Sequence, residues 1–207
     1  MAEDRPVKIH YAPNTRAVRV VWLCEELGLP YTLERYALGD PKMRGPEHLA
    51  RHPLGRVPVL EDGATRLYES GAIVEYILAR HGGGRLRPAP EDESFPHYLQ
   101  WLHYAEGIIM PHVNVIVVET VFLPPERRNQ VNVDRATKQL GRALAAVDAA
   151  LARRDYLLGD FSGADIMTGH ATIVAAGLGA DLSAMTHLPG YVERLRARPA
   201  LAASWDA

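Results

Sequence analysis

From residue 15 to 27 the chain is apolar on nearly every face, with Val18, Val20, Val21, Trp22, Leu23 and Leu27. Gly28 follows in the C-cap place and Pro30 comes soon after, so the pattern predicts a helix over 15–27. A helix with no clear polar face is buried on both sides, which fits one lying between a sheet and a second layer of helices. Short β-rich runs flank it at Val7–Tyr11 and 31–37. Two strands joined by one such helix predict a parallel pair with a right-handed crossover. Residues 41–51 read as loop with a short helix. Runs 57–61 and 66–68 read as a hairpin around Asp62-Gly63. Ser70–His81 reads as a helix with Ile73, Tyr76 and Ile77 inward, ended by Gly82-Gly83-Gly84.

The pattern then changes. Residues 82–90 carry three glycines and two prolines and read as a linker. Everything beyond reads as helical: 95–118, with an interruption near Pro111, and 133–153, with Leu140, Leu144, Val147 and Leu151 at core spacing. Ser162-Gly163-Ala164-Asp165 resembles a capping box with Asp in place of Glu or Gln, and is read as folding chemistry. Gly169, Ala171 and Ala175 let neighbours approach the helix beyond it. A last helix, 189–198, stops at Pro199. The predicted fold is an α/β first domain with a mixed βαβ-ββα sheet, residues 1–82. A linker, 83–90, and an all-α helical bundle, 91–207, follow.

Two segments carry the chemistry. Arg56-Val57-Pro58-Val59-Leu60 reads as a strand with a proline at its start, where proline is tolerated. A cis Val57-Pro58 bond leaves the Val57 N–H and C=O free to pair with an extended ligand. Leu67-Tyr68-Glu69-Ser70-Gly71-Ala72-Ile73 reads as a strand running into a helix, with Ser70 at an N-cap that favours an anion. Together they make a docking site for a peptide with a carboxylate at one end.

This order of elements, with "RVPVL", the "DG" turn, "ES" and a helix, resembles the cytosolic glutathione S-transferases over essentially the whole chain. Residues 11–19, YAPNTRAVR, resemble the "SPNSRxxR" start of bacterial members. The resemblance implies a thioredoxin-like first domain and an activity that turns the glutathione thiol into a thiolate. Glutathione is then the co-substrate, attacking a small apolar electrophile or reducing a peroxide or disulfide. It also implies a cytoplasmic homodimer, the first domain of one subunit against the second domain of the other. Within the tripeptide site it assigns Val57 and Pro58 to the cysteinyl backbone, Glu69 to the γ-glutamyl ammonium and Ser70 to its carboxylate. Arg56 is assigned to the glycyl carboxylate, and His52 stands where the family has asparagine. Serine-type classes carry their active serine at the place of Ala12, which cannot donate. Asn14 and Thr15 are therefore the expected sulfur donors, with Arg16 holding charge and Tyr11 the alternative of the tyrosine-type classes. Tyr104, Ile108, Pro111, His112 and Val115 are expected to line an electrophile pocket between the domains, a usual place for small-molecule sites. The alternative function is a glutathione-transferase-like interaction or regulatory module without turnover.

Composition narrows the rest. At 207 residues and 47% hydrophobic, the chain can bury a core without staples. A formal net charge of −2 offers no whole-protein attraction for nucleic acid. The single cysteine, Cys24, excludes an internal disulfide and suits a reducing compartment. No run approaches 18 apolar residues, so no membrane span is expected, and residues 1–6 hold no secretory h-region. The nine histidines show no spacing that suggests a metal.

Overall fold

The computed structural model describes residues 6–205 and 207, and two compact units make it up. The reading against a secretory signal concerns residues 1–6, of which 1–5 lie outside the described residues. One unit runs up to Arg87 and takes in Arg196–Ala207; the other is Pro88–Leu195.

In the first unit a four-stranded sheet has the order β2-β1-β3-β4, built from β1 (Val7–Tyr11), β2 (Tyr31–Arg35), β3 (Val59–Asp62) and β4 (Thr65–Tyr68). β1 and β2 pair in parallel, Ile9 opposite Leu33, as the crossover predicts; β1–β3 and β3–β4 are antiparallel. The hairpin turn falls at Gly63-Ala64, one residue later than expected. Asp62 stays in the ladder opposite Thr65 and accepts hydrogen bonds from Tyr76 Oη and His81 Nε2 at 2.9 and 2.7 Å. α1 (Ala17–Leu27) packs on β1 and on α3 (Ser70–His81), and Gly28 ends it at φ 61, the left-handed conformation a glycine adopts without penalty. The segment expected to be loop with a short helix holds a 3₁₀ turn, Pro41–Arg44, and α2 (Pro46–Leu49).

The C-terminus departs from expectation. Pro199 does not close the last helix but opens a new one, because proline suits the first helical turn. After α8 (Leu188–Arg196), α9 (Pro199–Trp205) packs on α1. Arg198 grips both oxygens of Glu26, at 2.6 and 2.7 Å. Residues 196–207 therefore pack with the first unit.

The helical unit is organised by one long helix, composed of α4 (Phe95–Tyr104), a π-turn (Ala105–Ile109), α5 (Met110–Val117) and a second π-turn (Val118–Phe122). Pro111 does not interrupt it. The wider turn just before Pro111 absorbs the hydrogen bond that proline cannot make. By length and composition alone Phe95–Phe122 could cross a membrane, although no unbroken apolar run was found in the sequence. Its buried side, Trp101, Leu102, Ile109, Val113 and Ile116, packs within its own unit on α6 (Gln130–Ala150), α7 (His170–Gly177) and the π-turn Asp165–Gly169. Ser162 and Asp165 form the expected cap: the Asp165 carboxylate accepts from Ser162 N and Leu157 N, and from Tyr191 Oη. A side chain at Gly169 would run into Leu195 and Tyr191, so this position needs the smallest residue.

Candidate functional site

Two helix N-termini of the first unit carry the candidate residues. Asn14 has φ 58, a left-handed conformation that asparagine tolerates better than most residues, and this delays α1 to Ala17. Thr15 Oγ1 donates to the Ala12 carbonyl at 2.7 Å and accepts from Ala17 N at 3.2 Å. It thus satisfies one of the helix's free N–H groups. No acidic side chain stands in the first turn of α1, so the positive end of its dipole is left for a ligand. Asn14 is exposed, and Thr15 and Arg16 are half-buried.

At the start of α3 the sequence reading needs correcting. Glu69, not Ser70, is the N-cap residue, and it sits at φ 77 with no side-chain cap bond. Ser70 is the first helical residue and is buried; its Oγ accepts from Arg19 Nη1 at 3.0 Å. Arg19 lies in the first turn of α1, among apolar neighbours, and is fully buried. The sequence reading passed it over. The available signals were the Arg16-x-x-Arg19 spacing and a charge where every neighbour is apolar. Non-glycine residues in sparsely populated backbone regions cluster at functional sites, and Asn14 and Glu69 are both of this kind.

Between these helix starts lies the third piece. The Val57-Pro58 bond is cis and Val57 stands just outside the ladder of β3. Arg56 is exposed, and its carbonyl accepts from His48 Nε2 at 2.8 Å. His52 is buried rather than an exposed loop residue. Its Nδ1 accepts from Leu54 N at 3.2 Å and its ring packs on Tyr68. Burial, with His48 nearby, lowers the His52 pKa from its ordinary value. His52 therefore shapes the loop from inside.

Tyr11 is fully buried and its hydroxyl donates to the Ser204 carbonyl at 3.0 Å. Its one proton is used within the core. Burial pushes the Cys24 thiol up to about 12, which makes it inert as a nucleophile. Among the described residues no group of three or more His, Cys, Asp or Glu is placed to hold a metal ion.

The five residues expected to line one pocket are divided by the helical unit. His112 and Val115 line a cavity of about 640 Å³ together with Val118, Glu119, Arg135 and Ala136, between α5 and α6. Tyr104 donates its hydroxyl to the Ala143 carbonyl at 3.1 Å. Ile108 and Pro111 are exposed and do not line that cavity.

A mixed four-stranded sheet with a cis-proline ahead of its third strand, joined to an all-helical unit, defines a thioredoxin-like domain followed by a helical domain. The glutathione S-transferase N-terminal domain matches residues 6–79 and the glutathione S-transferase C-terminal domain matches 109–199. The chain belongs to the glutathione S-transferase family, and its enzyme class is glutathione S-transferase. It is 38% identical to glutathione S-transferase 4 of Zea mays over 205 residues, 94% of this chain and 89% of the maize protein. Glutathione S-transferase GstB of Escherichia coli (strain K12) is 31% identical, with 91% of each chain covered. Among solved structures, the theta class glutathione S-transferase of Xanthomonas axonopodis pv. citri with glutathione bound is 29% identical, with a TM-score of 0.82 and 98% and 99% of the two chains covered. Plant and bacterial relatives both match, so the bacterial type suggested by residues 11–19 is not singled out.

Proposed function

We propose that this enzyme binds glutathione along its first unit, ionises the thiol at the start of α1, and adds the thiolate to small apolar electrophiles. The observation that carries the reading is the Arg19–Ser70 hydrogen bond, which ties the two helix starts into one anion-favouring cradle. The Val57 backbone pairs with the cysteinyl part of the tripeptide. Glu69 takes the γ-glutamyl ammonium, and Ser70, its hydroxyl polarised by Arg19, takes its carboxylate. Exposed Arg56 reaches the glycyl carboxylate.

A free thiol titrates near pH ~8.5, and lowering that by ~2 units needs ~2.7 kcal/mol of preferential thiolate binding. The open N-terminus of α1 contributes through its dipole. Asn14 and Thr15 supply the side-chain donors: the Thr15 hydroxyl need only turn from the Ala12 carbonyl toward the sulfur. Tyr11 is not among the proposed donors, since its proton is held by Ser204. The sulfur then attacks the electrophilic carbon, a C–S bond forms, and a leaving group departs with its bonding electrons. The same thiolate, attacking a disulfide sulfur or a peroxide oxygen, expels a thiolate or alkoxide and forms a mixed disulfide or a sulfenate for a second glutathione to resolve. The exposed apolar residues Ile108 and Pro111 of the long helix hold the electrophile.

We read the working form as a cytoplasmic homodimer. The exposed Leu54 and Tyr68 of the first unit and the apolar-walled cavity at Val115, Val118 and Ala136 of the second are the surfaces that a second copy would cover. The test is titration calorimetry with glutathione, paired with conjugation of an activated chloronitrobenzene. Binding in the micromolar to millimolar range with turnover supports the reading. A folded wild type that neither binds nor turns over would overturn it.

A further inference from the structure

Loop 52–58 delivers Val57 to the proposed tripeptide site, so what fixes this loop fixes the site. Its first half is held by local devices. Gly55 has φ 58, and any side chain there would run into the Met43 carbonyl. Gly55 N donates to the His52 carbonyl at 2.8 Å, and Leu54 N to His52 Nδ1 at 3.2 Å. Beyond them the Arg56 carbonyl accepts from His48 Nε2 at 2.8 Å, a contact that crosses from α2. A carbonyl only accepts, so Nε2 carries a proton and donates it to the Arg56 carbonyl, and Nδ1 is left to find its own partner.

That Nδ1 is buried and has no hydrogen-bond partner among the described residues. The ring packs edge-on against Tyr36, centroids 5.0 Å apart, and is 98% buried. Buried polar atoms in folded proteins are nearly always satisfied. A histidine that leaves one nitrogen unmet is poorly suited to simple packing, where an apolar side chain of similar size carries no such cost. What this residue gains is the donor at Nε2.

We infer that His48 is a positioning residue for glutathione: by holding the Arg56 carbonyl it fixes the Val57 backbone against which the tripeptide pairs. The inference rests on the reading of Val57 given above. His48 touches neither substrate.

The test compares His48→Gln with His48→Asn. The Gln amide nitrogen falls near the place of Nε2 and can still donate to Arg56. Asn ends near the place of Nδ1 and cannot. His48→Asn is expected to raise the glutathione KM and Kd about fivefold, the loss of one ordinary hydrogen bond. The electrophile KM and the kcat at saturating glutathione stay near wild type, and His48→Gln recovers most of the glutathione affinity. If Asn prevents folding, His48→Met, which has similar length and no donor, takes its place against Gln. Equal glutathione KM in the donor and non-donor variants overturns the inference, as does an electrophile KM that rises in step. A Ser70→Ala control separates the two levels. If it weakens glutathione binding and His48→Asn does not, this inference alone fails. If the wild type binds no glutathione, the reading of the site fails and this inference with it.

Discussion

Arg19 Nη1 donates to Ser70 Oγ at 3.0 Å across 51 residues of sequence, with both side chains buried. A guanidinium placed inside an apolar helix is costly unless it is paired and hydrogen-bonded. Its position beneath the first residue of α3 turns that cost into a fixed positive charge at a helix N-terminus. Arg19→Met removes the charge while keeping the side chain's length. Glutathione affinity is expected to fall by about 2 kcal/mol, within the range for a hydrogen bond to a charged group. Calorimetry on the folded variant checks this, and an unchanged Kd would remove Arg19 from the site.

Ser70→Ala deletes the neutral hydroxyl but leaves the α3 backbone N–H groups and the Arg19 charge in place. The expected loss of glutathione affinity is about 1–2 kcal/mol. Unchanged affinity would show that the γ-glutamyl carboxylate does not lie at the start of α3.

Local pattern made much of the first unit legible. The run 15–27 has no polar face because the sheet, α3 and α9 cover it, and Gly28 and the β-rich runs mark its limits without tertiary help. The cis Val57-Pro58 bond was open to the same local reading, whereas the N-cap of α3 falls at Glu69, one residue before the one expected. What was not legible depends on contacts distant in sequence. The use of Arg19 requires Ser70, that of His48 requires Arg56, and the burial of the Tyr11 hydroxyl requires Ser204, 193 residues away. Pro199 was misread because proline stops one helix and starts another equally well, and only the packing of α9 on α1 distinguishes the two.

Stability should fall as pH drops below neutrality, where the unfolded chain's histidines take up protons. Burial holds both His10 and His52 below their ordinary value of 6.5, so in the folded protein they stay neutral where the unfolded chain takes up protons. The unfolded state binds more protons below about pH 6.5, and the slope reaches about 1.4 kcal/mol per pH unit for each histidine that differs by one proton. The stability conferred by their neutral forms is complete above the unfolded value and is lost as pH falls toward the folded values. For Glu61, burial opposes ionisation. The hydrogen bond from His10 and the charges of His10, Arg51 and Arg66 outweigh it and lower its pKa. Its contribution is present above the usual carboxylate range and disappears only in stronger acid. Urea midpoints between pH 7.5 and 5.5 check the first step: a flat profile would contradict it, and His10→Gln should make the decline shallower.

Asp165 tests the helical unit independently of the site. Burial raises its pKa, while hydrogen bonds from Leu157 N, Tyr191 Oη, and Ser162 N and Oγ pull the other way. Asp165→Ala leaves these buried donors unmet and should cost about 3 kcal/mol of unfolding free energy. Asp165→Asn keeps an acceptor and should cost less. Equal losses in the two variants would mean that charge, not acceptor geometry, holds the cap.

The identity of the sulfur donor is decided by three substitutions read together. Thr15 Oγ1 already makes two hydrogen bonds, donating to Ala12 O and accepting from Ala17 N. Thr15→Val therefore loses a local cap as well as a candidate donor, and both stability and thiolate binding should fall. Asn14 is exposed and makes no such local bonds, so Asn14→Ala should alter the thiolate with little effect on folding beyond its left-handed backbone. Tyr11→Phe removes the bond to Ser204 and should cost about 1 kcal/mol of stability while leaving the sulfur unaffected. The measurement is the pKa of bound glutathione, read from thiolate absorbance, alongside the conjugation rate at saturating substrate. Removing one donor from a preorganised anion site can cost a factor of ~100, and the open helix terminus that remains should hold the loss nearer to tenfold. A raised thiol pKa in Thr15→Val or Asn14→Ala, with Tyr11→Phe unchanged, is the expected pattern. A raised value in Tyr11→Phe alone would mean that the Ser204 bond breaks when glutathione binds, and the donor would then be Tyr11. If none of the three moves it, the backbone N–H groups of α1 hold the sulfur without side-chain help.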